Sequence, residues 1–167
     1  HALTVRYFGG RPWITLYGFG GLAAYRPNEW TRAFDPTARD VLISLAGPAA
    51  GFSLAGITFL SLAALGVPVQ VQGLDVELGD QIWQSNAYLA FFLTQLIFVN
   101  LVWNLLNLLP VIPLDGGQVL QSVLVRLGGI GGYAQAIMTS LFVAAAVAIF
   151  AAVRLQSAFL VILFAYL

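Results

Sequence analysis

Asn100-Leu-Val-Trp-Asn104-Leu-Leu-Asn107-Leu-Leu-Pro110-Val-Ile-Pro113-Leu-Asp115-Gly116-Gly117 is an apolar run that carries three asparagines and ends on one carboxylate. Asn100, Asn104 and Asn107 stand at i, i+4 and i+7, so a helix places them on one face, and that face leads towards Asp115. Polar side chains inside such a run cost free energy unless they have partners or a task. The ring of Pro113 blocks a regular helix at its position and sets the backbone that presents Asp115. The run therefore reads as a spanning helix that ends in a shaped turn bearing a carboxylate.

Working outward, Gln81 to Leu114 contains no charged residue, and neither does Val41 to Leu74. Over its 167 residues the chain is 60% hydrophobic and only 8% charged, with a mean hydropathy of +0.88, far from the balance of a water-soluble domain. The expected fold class is an all-α membrane protein: a multi-span transmembrane helix bundle with a small interfacial β-hairpin near the N-terminus. Ile43 to Leu65 is long enough to cross a hydrocarbon layer of about 30 Å, a second span runs over about 87–109, and Ala134 to Val153 makes a third. Leu155 to Leu167 is apolar but shorter than the roughly 20 residues a span needs, so the C-terminal part reads as truncated. The chain opens on His1 with no initiating Met and no signal-peptide pattern, and its N-terminus also reads as cut.

Residues 1–40 are the polar part. Trp13 to Tyr17 alternates and is rich in strand formers, Gly18-Phe-Gly-Gly21 supplies turn residues, and Leu22 to Tyr25 returns as a second strand. Bare strands cannot sit in hydrocarbon, which places this hairpin at the membrane surface or inside the bundle. Arg26 to Asp40 reads as a solvated connection, Val67 to Gln81 as an acidic loop, and Gly128 to Gly132 as a flexible one. Residues 1–40 hold five arginines against three acids; by the positive-inside rule the side before Val41, and with it the Asp115 end, is cytoplasmic. Trp13, Tyr17, Trp30, Trp83 and Tyr88 read as interfacial aromatic belts. Formal net charge is zero, so no basic field serves nucleic acid, and the absence of cysteine removes thiolate catalysis and Cys-type zinc sites.

The chemistry open to Asp115 narrows by its neighbours. Aspartyl catalysis needs two carboxylates sharing a site, and Asp115 is the one acid in the strongly apolar part. Serine catalysis needs a base, and although Ser44, Ser53, Ser61 and Ser140 are available, the single histidine is His1. A cation pathway is a reasonable use of one carboxylate among amides, but Pro110, Pro113 and the Gly116-Gly117 pair favour a rigid break over a smooth pore. A metal site has His1 and Asp115 as ligand candidates, one short of the three that a catalytic zinc takes from protein. Ala46-Gly47-Pro48-Ala49-Ala50-Gly51 is a small-residue patch suited to close helix packing, and Asn100 and Asn104 read as interhelical hydrogen-bonding groups.

Three pieces resemble, in order, the site-2 protease family of intramembrane zinc metalloproteases. Asn107-Leu-Leu-Pro110-Val-Ile-Pro113-Leu-Asp115-Gly116-Gly117 resembles the family's Asn-x-x-Pro and its subsequent Leu-Asp-Gly. Ser44-Leu-Ala-Gly47-Pro48 resembles the Ala-Gly-Pro opening of its preceding helix. His1-Ala2-Leu3 with Tyr7-Phe-Gly resembles the end of its His-Glu-x-x-His motif and the residues just after it. The likeness covers roughly residues 1–120, and it departs from the family at Gly51, where Asn is frequent. It divides the chain into residues 1–40 after that motif, a catalytic core over 41–125, and further transmembrane helices over 126–167. It implies Zn²⁺ held by His1, Asp115 and a first histidine that precedes this chain, together with a preceding Glu as general base. It also implies that Asn107 positions substrate or an oxyanion, that Gly47, Pro48, Pro110, Pro113 and Gly116 wall the site, and that the substrate is a transmembrane segment of another protein in a lipid bilayer. The alternatives are a catalytically inactive relative that binds transmembrane segments, and a channel or transporter that uses Asp115 as an ion site.

Overall fold

The computed structural model describes residues 1–17, 20–26, 30, 33–72 and 75–167. Gly18 and Phe19 of the expected turn, and part of the connection after Arg26, lie outside these residues. The chain forms two compact units, one of His1–Ala46 with Leu108–Leu167, the other of Gly47–Asn107.

Three helices are long and apolar enough to cross a membrane: Pro36–Ala64, Ala87–Asn107 and Asp115–Leu155. Less than a third of each one's most apolar window is buried within the protein. The rest exposes side chains such as Leu60, Phe92, Leu141 and Phe142, a surface that hydrocarbon covers and water does not. The chain is thus a predominantly helical integral membrane protein with a small antiparallel hairpin near its N-terminus.

In the first unit, α1 (Ala2–Tyr7) leads into β1 (Pro12–Tyr17) and β2 (Gly20–Tyr25), paired antiparallel from Pro12↔Tyr25 to Tyr17↔Gly20. Val5, Phe8 and Ile43 form a buried cluster with Tyr25 and Trp30 against it. Trp30 packs on Tyr25 at 5.2 Å and carries the Arg39 guanidinium 3.9 Å over its ring. α2 (Pro36–Ala64) begins earlier than the apolar run, so the stretch ending at Asp40 is helical at its end, not a connection throughout. The reason is local: the Asp35 carboxylate accepts the Ala38 N–H at 2.9 Å, and Pro36 pre-sets the first helical turn.

The helical stretch Asp115–Phe150, α6 in chain order, is interrupted at the glycine cluster that the sequence reads as a flexible connection. The cluster joins two helices across a sharp kink: Gly129 takes φ 56° and ψ −129°, which side chains bearing a Cβ avoid. Gly132 meets the Leu124 carbonyl where a Cβ has no room. A π-helical turn, Ala151–Leu155, comes next, and α7 (Ala158–Tyr166) starts on Ser157, whose hydroxyl accepts the Leu160 N–H.

The second unit holds most of α2 and a hairpin that the sequence does not announce. Val67 to Gln81, expected as a loop, contains β3 (Val69–Gln72) and β4 (Asp75–Leu78), with α3 (Asp80–Ser85) directly after them. Val76 and Leu78 alternate inward to join Leu62 and Ile97 in a buried cluster, while Asp75 and Glu77 point away. The acids hid the alternation. α4 (Ala87–Phe98) opens on Asn86, which caps the Leu89 N–H, and passes through a π-helical turn, Val99–Trp103, into α5 (Asn104–Asn107). That wider turn shifts the helical phase, so the asparagines do not keep one regular face. Asn100 donates to the Leu96 carbonyl at 2.8 Å and Asn104 to the Asn100 carbonyl at 2.7 Å, bonds within their own helix where interhelical ones were expected.

Candidate metal centre

Asp115 is the first residue of α6. Its carboxylate lies where the free N–H groups of the helix start favour negative charge. The preceding turn is closed by Val111 N–H to the Leu109 carbonyl and Leu114 N–H to the Val111 carbonyl, both 2.7 Å, and includes a cis Ile112–Pro113 bond. Two contacts from farther along the chain fix it. The Gln118 amide donates to the Pro113 carbonyl at 3.2 Å, and the Ile112 N–H donates to the hydroxyl of buried Ser140 at 2.8 Å. Gly116 lets the helix start lie on the carbonyls of Leu108 and Leu109; a Cβ there would overlap backbone oxygen. Gly117, fully packed on Val111 and Ile112, has the same constraint.

His1 heads α1, which the Val5, Phe8 and Ile43 cluster anchors on the first turns of α2. Its Nδ1 is 2.7 Å from the Ile43 carbonyl, so that nitrogen carries the proton and Nε2 is the ring atom free to act as a ligand. Nε2 is 3.5 Å from Asp115 Oδ1. α1 is not among the candidate spans, and there the Asp115 hydrogen bond raises the imidazole pKa, burial opposing it and the Ile43 carbonyl adding to the rise.

The pair fits a zinc ion on two counts. Two donors at 2.0–2.1 Å from one tetrahedral Zn²⁺ stand about 3.4 Å apart, close to the separation of these two atoms. A histidine ligand typically donates its other ring N–H to a backbone carbonyl, as His1 does to Ile43. Among the described residues no group of three His, Cys, Asp or Glu side chains could hold a metal. His1 and Asp115 are two ligand-type side chains brought together, where a catalytic zinc takes three from protein.

Pro110, Pro113 and Gly116 belong to the turn and helix start that present Asp115. Asn107 is the half-buried last residue of α5. Gly47 and Pro48 lie inside α2, which continues through the proline. Farther along α2, Gly51 lies so close to Asn104 that a Cβ would overlap the Asn104 amide. Two contributors are not marked by the sequence as parts of the site: the Ile43 carbonyl, which no side-chain pattern reveals, and Ser140 as a support of the Asp115 turn. Ser140's one sequence signal is being polar within an apolar span.

The sequence pattern of Peptidase family M50 matches residues 6–151, and the chain belongs to that family. The matched stretch includes Asp115 and leaves His1 just outside. A protein of Synechocystis sp. (strain ATCC 27184 / PCC 6803 / Kazusa) named "Putative zinc metalloprotease sll0528" is 32% identical over 120 residues. The alignment takes in 70% of this chain and 24% of that relative, so it spans about a quarter of the relative's length. No solved structure matches the chain.

Proposed function

We propose that this chain belongs to a zinc metalloendopeptidase that cleaves transmembrane segments of other proteins within the bilayer, a form of regulated intramembrane proteolysis. The observation that carries this reading is the approach of His1 Nε2 to Asp115 Oδ1 at 3.5 Å, with the His1 Nδ1 engaged by a backbone carbonyl. Family membership and the named relative support peptidase chemistry.

His1 and Asp115 would hold the zinc, and the turn at Pro110 to Pro113 would keep the carboxylate in place. Bound zinc supplies a water acidic enough to be a nucleophile near neutral pH and polarises a peptide carbonyl. The third ligand and the general base belong to the family's His-Glu-x-x-His motif, of which His1 would be the last residue. Asn107 is assigned to positioning substrate or an oxyanion, and the β1–β2 hairpin to receiving an unwound peptide as an added strand. The Asp115 end is placed on the cytoplasmic side, by the arginine excess in residues 1–40.

The test measures bound zinc and cleavage of a membrane-spanning substrate for the protein at its full natural length and for Asp115→Asn. Native protein is expected to carry one zinc and cleave; the variant is expected to lose both. Zinc content that is nil in the native protein, or untouched by the substitution, overturns the metal site and returns Asp115 to the ion-pathway reading. A zinc-loaded native protein that cleaves nothing points to an inactive relative.

A further inference from the structure

Beside the candidate metal centre, in the same compact unit, is a pocket of about 290 Å³ whose wall includes Tyr25, Asp40, Ser44, Pro113, Gln121 and Ser122. Ser44 is 5% exposed, and among the described residues its hydroxyl has no hydrogen-bond partner. On the same helix Ser53, Thr58 and Ser61 each donate to the carbonyl four residues back at 2.8–2.9 Å, the usual resting state of a hydroxyl in an apolar helix. Ser44 leaves that option unused and lines the pocket. Gln121 and Ser122, half-buried on α6, are likewise without a partner among the described residues. Hydrogen-bonding groups gathered on one wall without protein partners leave capacity that a guest of matching chemistry can use.

We infer that this pocket is a subsite for an uncharged amide or hydroxyl side chain of the peptide being cut. The inference rests on the protease reading and deepens it. Its location is set by chain neighbours: Ser44 adjoins Ile43, whose carbonyl holds His1, and Pro113 stands two residues before Asp115. Its chemistry is set by its lining. Hydroxyl and amide groups both donate and accept, matching Asn, Gln, Ser or Thr. The carboxylate of Asp40, which also lines the pocket, is paired with Arg39 Nε at 3.2 Å, so the pocket offers a guest no unpaired charge to bind. The volume, just below the about 300 Å³ at which ligand pockets begin, admits a side chain of this size with room to spare. Within an apolar substrate segment such a side chain is itself short of partners, so recognition satisfies both sides at once.

The test uses the full-length zinc-loaded protein in liposomes and membrane-spanning peptides that differ only in having Asn or Leu at each position flanking the scissile bond. At one position Asn is expected to raise kcat/KM about tenfold over Leu, the size of one well-made hydrogen bond with its desolvation. In Ser44→Val and, separately, Gln121→Leu, that ratio is expected to fall towards one, with zinc content showing that each variant is folded. Two variants on different helices guard against one failing to fold. Equal cleavage of Asn and Leu peptides by the native protein overturns the subsite and leaves the protease standing, the pocket then being hydrated space. A preference that survives both substitutions also overturns it. Cleavage of neither peptide overturns the protease reading and the subsite with it.

Discussion

His1 Nε2 lies 3.5 Å from Asp115 Oδ1, and the opposite ring nitrogen is held 2.7 Å from the Ile43 carbonyl. With Nδ1 donating to Ile43, Nε2 is the ring nitrogen directed at the carboxylate, and it offers a lone pair there once its proton is lost. Replacing His1 by Ala is expected to weaken zinc binding by more than about 100-fold, above the 10–100-fold that loss of an outer partner costs. Competition with a chromophoric chelator measures this, and an affinity equal to that of native protein would remove His1 from the site.

Ser140 holds the Asp115 turn through the Ile112 N–H at 2.8 Å. Ser140→Ala leaves that donor without its acceptor, at a cost of about 1–3 kcal/mol, and loosens the turn. Zinc affinity and kcat are expected to fall together, with Ser140→Thr, which keeps a hydroxyl, recovering much of both. Equal behaviour of the Ala and Thr variants would show that the hydroxyl does not matter.

Gly116→Ala drives a methyl group into the carbonyls of Leu108 and Leu109. Backbone cannot swing aside as a side-chain tip can, so a loss of about 3 kcal/mol or more is expected, in the range of severe overpacking. Thermal unfolding in detergent reads it. A melting temperature within a degree of native would mean that the helix start is not seated on this turn.

Gly51→Ala differs in kind, because its Cβ meets the movable amide of Asn104. The amide must leave the Asn100 carbonyl, which it holds at 2.7 Å, at a cost of about 1 kcal/mol. Asn104→Ala opens the space, so Gly51→Ala is expected to be much milder in that background. The double-mutant cycle reports a coupling of about 1 kcal/mol or more; additivity would mean the two residues are not in contact.

Arg126 pairs with Asp35. That hydrogen bond holds the Asp35 carboxyl below its ordinary range, with the Ala38 N–H adding to the effect. Because the folded value lies below the unfolded one, the pair stabilises the fold above the ordinary carboxylate pKa of about 3.9 and fades as pH falls through the lowered value. Arg126→Gln should therefore melt slightly lower than native at pH 7 in low salt, with the gap closing in acid. A gap independent of pH would mean that the ion pair contributes nothing.

The distribution of charge made the class of fold legible. Two charge-free runs and an arginine-rich opening leave a membrane as the compatible solvent; the second span begins at Ala87 as expected, while the first begins at Pro36, ahead of Ile43. The β1–β2 hairpin was visible because Trp13 to Tyr17 alternates without interference. The β3–β4 hairpin was not, since Asp75 and Glu77 occupy the outward half of the alternation and read as a loop. The break at Gly129 falls in the glycine cluster that the sequence marks. The π-helical turn at Val99–Trp103 escaped for another reason: it is a change of backbone phase selected by packing, and residue spacing assumes a regular helix.

By itself the sequence determined which residues are out of place in an apolar chain: an isolated Asp115 behind two prolines, one histidine, and polar groups where apolar ones are the rule. It determined this because unusual residue types in hydrocarbon are costly wherever they fall. Only the tertiary structure decided that His1 reaches Asp115, that Ile43 sets its tautomer, that Ser140 steadies the Asp115 turn, and that Ser44 opens onto a pocket. These are meetings between positions far apart in the chain, fixed by how buried Val5, Phe8 and Ile43 anchor α1 and by how Gly116 and Gly117 admit backbone against backbone. No local pattern encodes such meetings, because their energy comes from the packed whole.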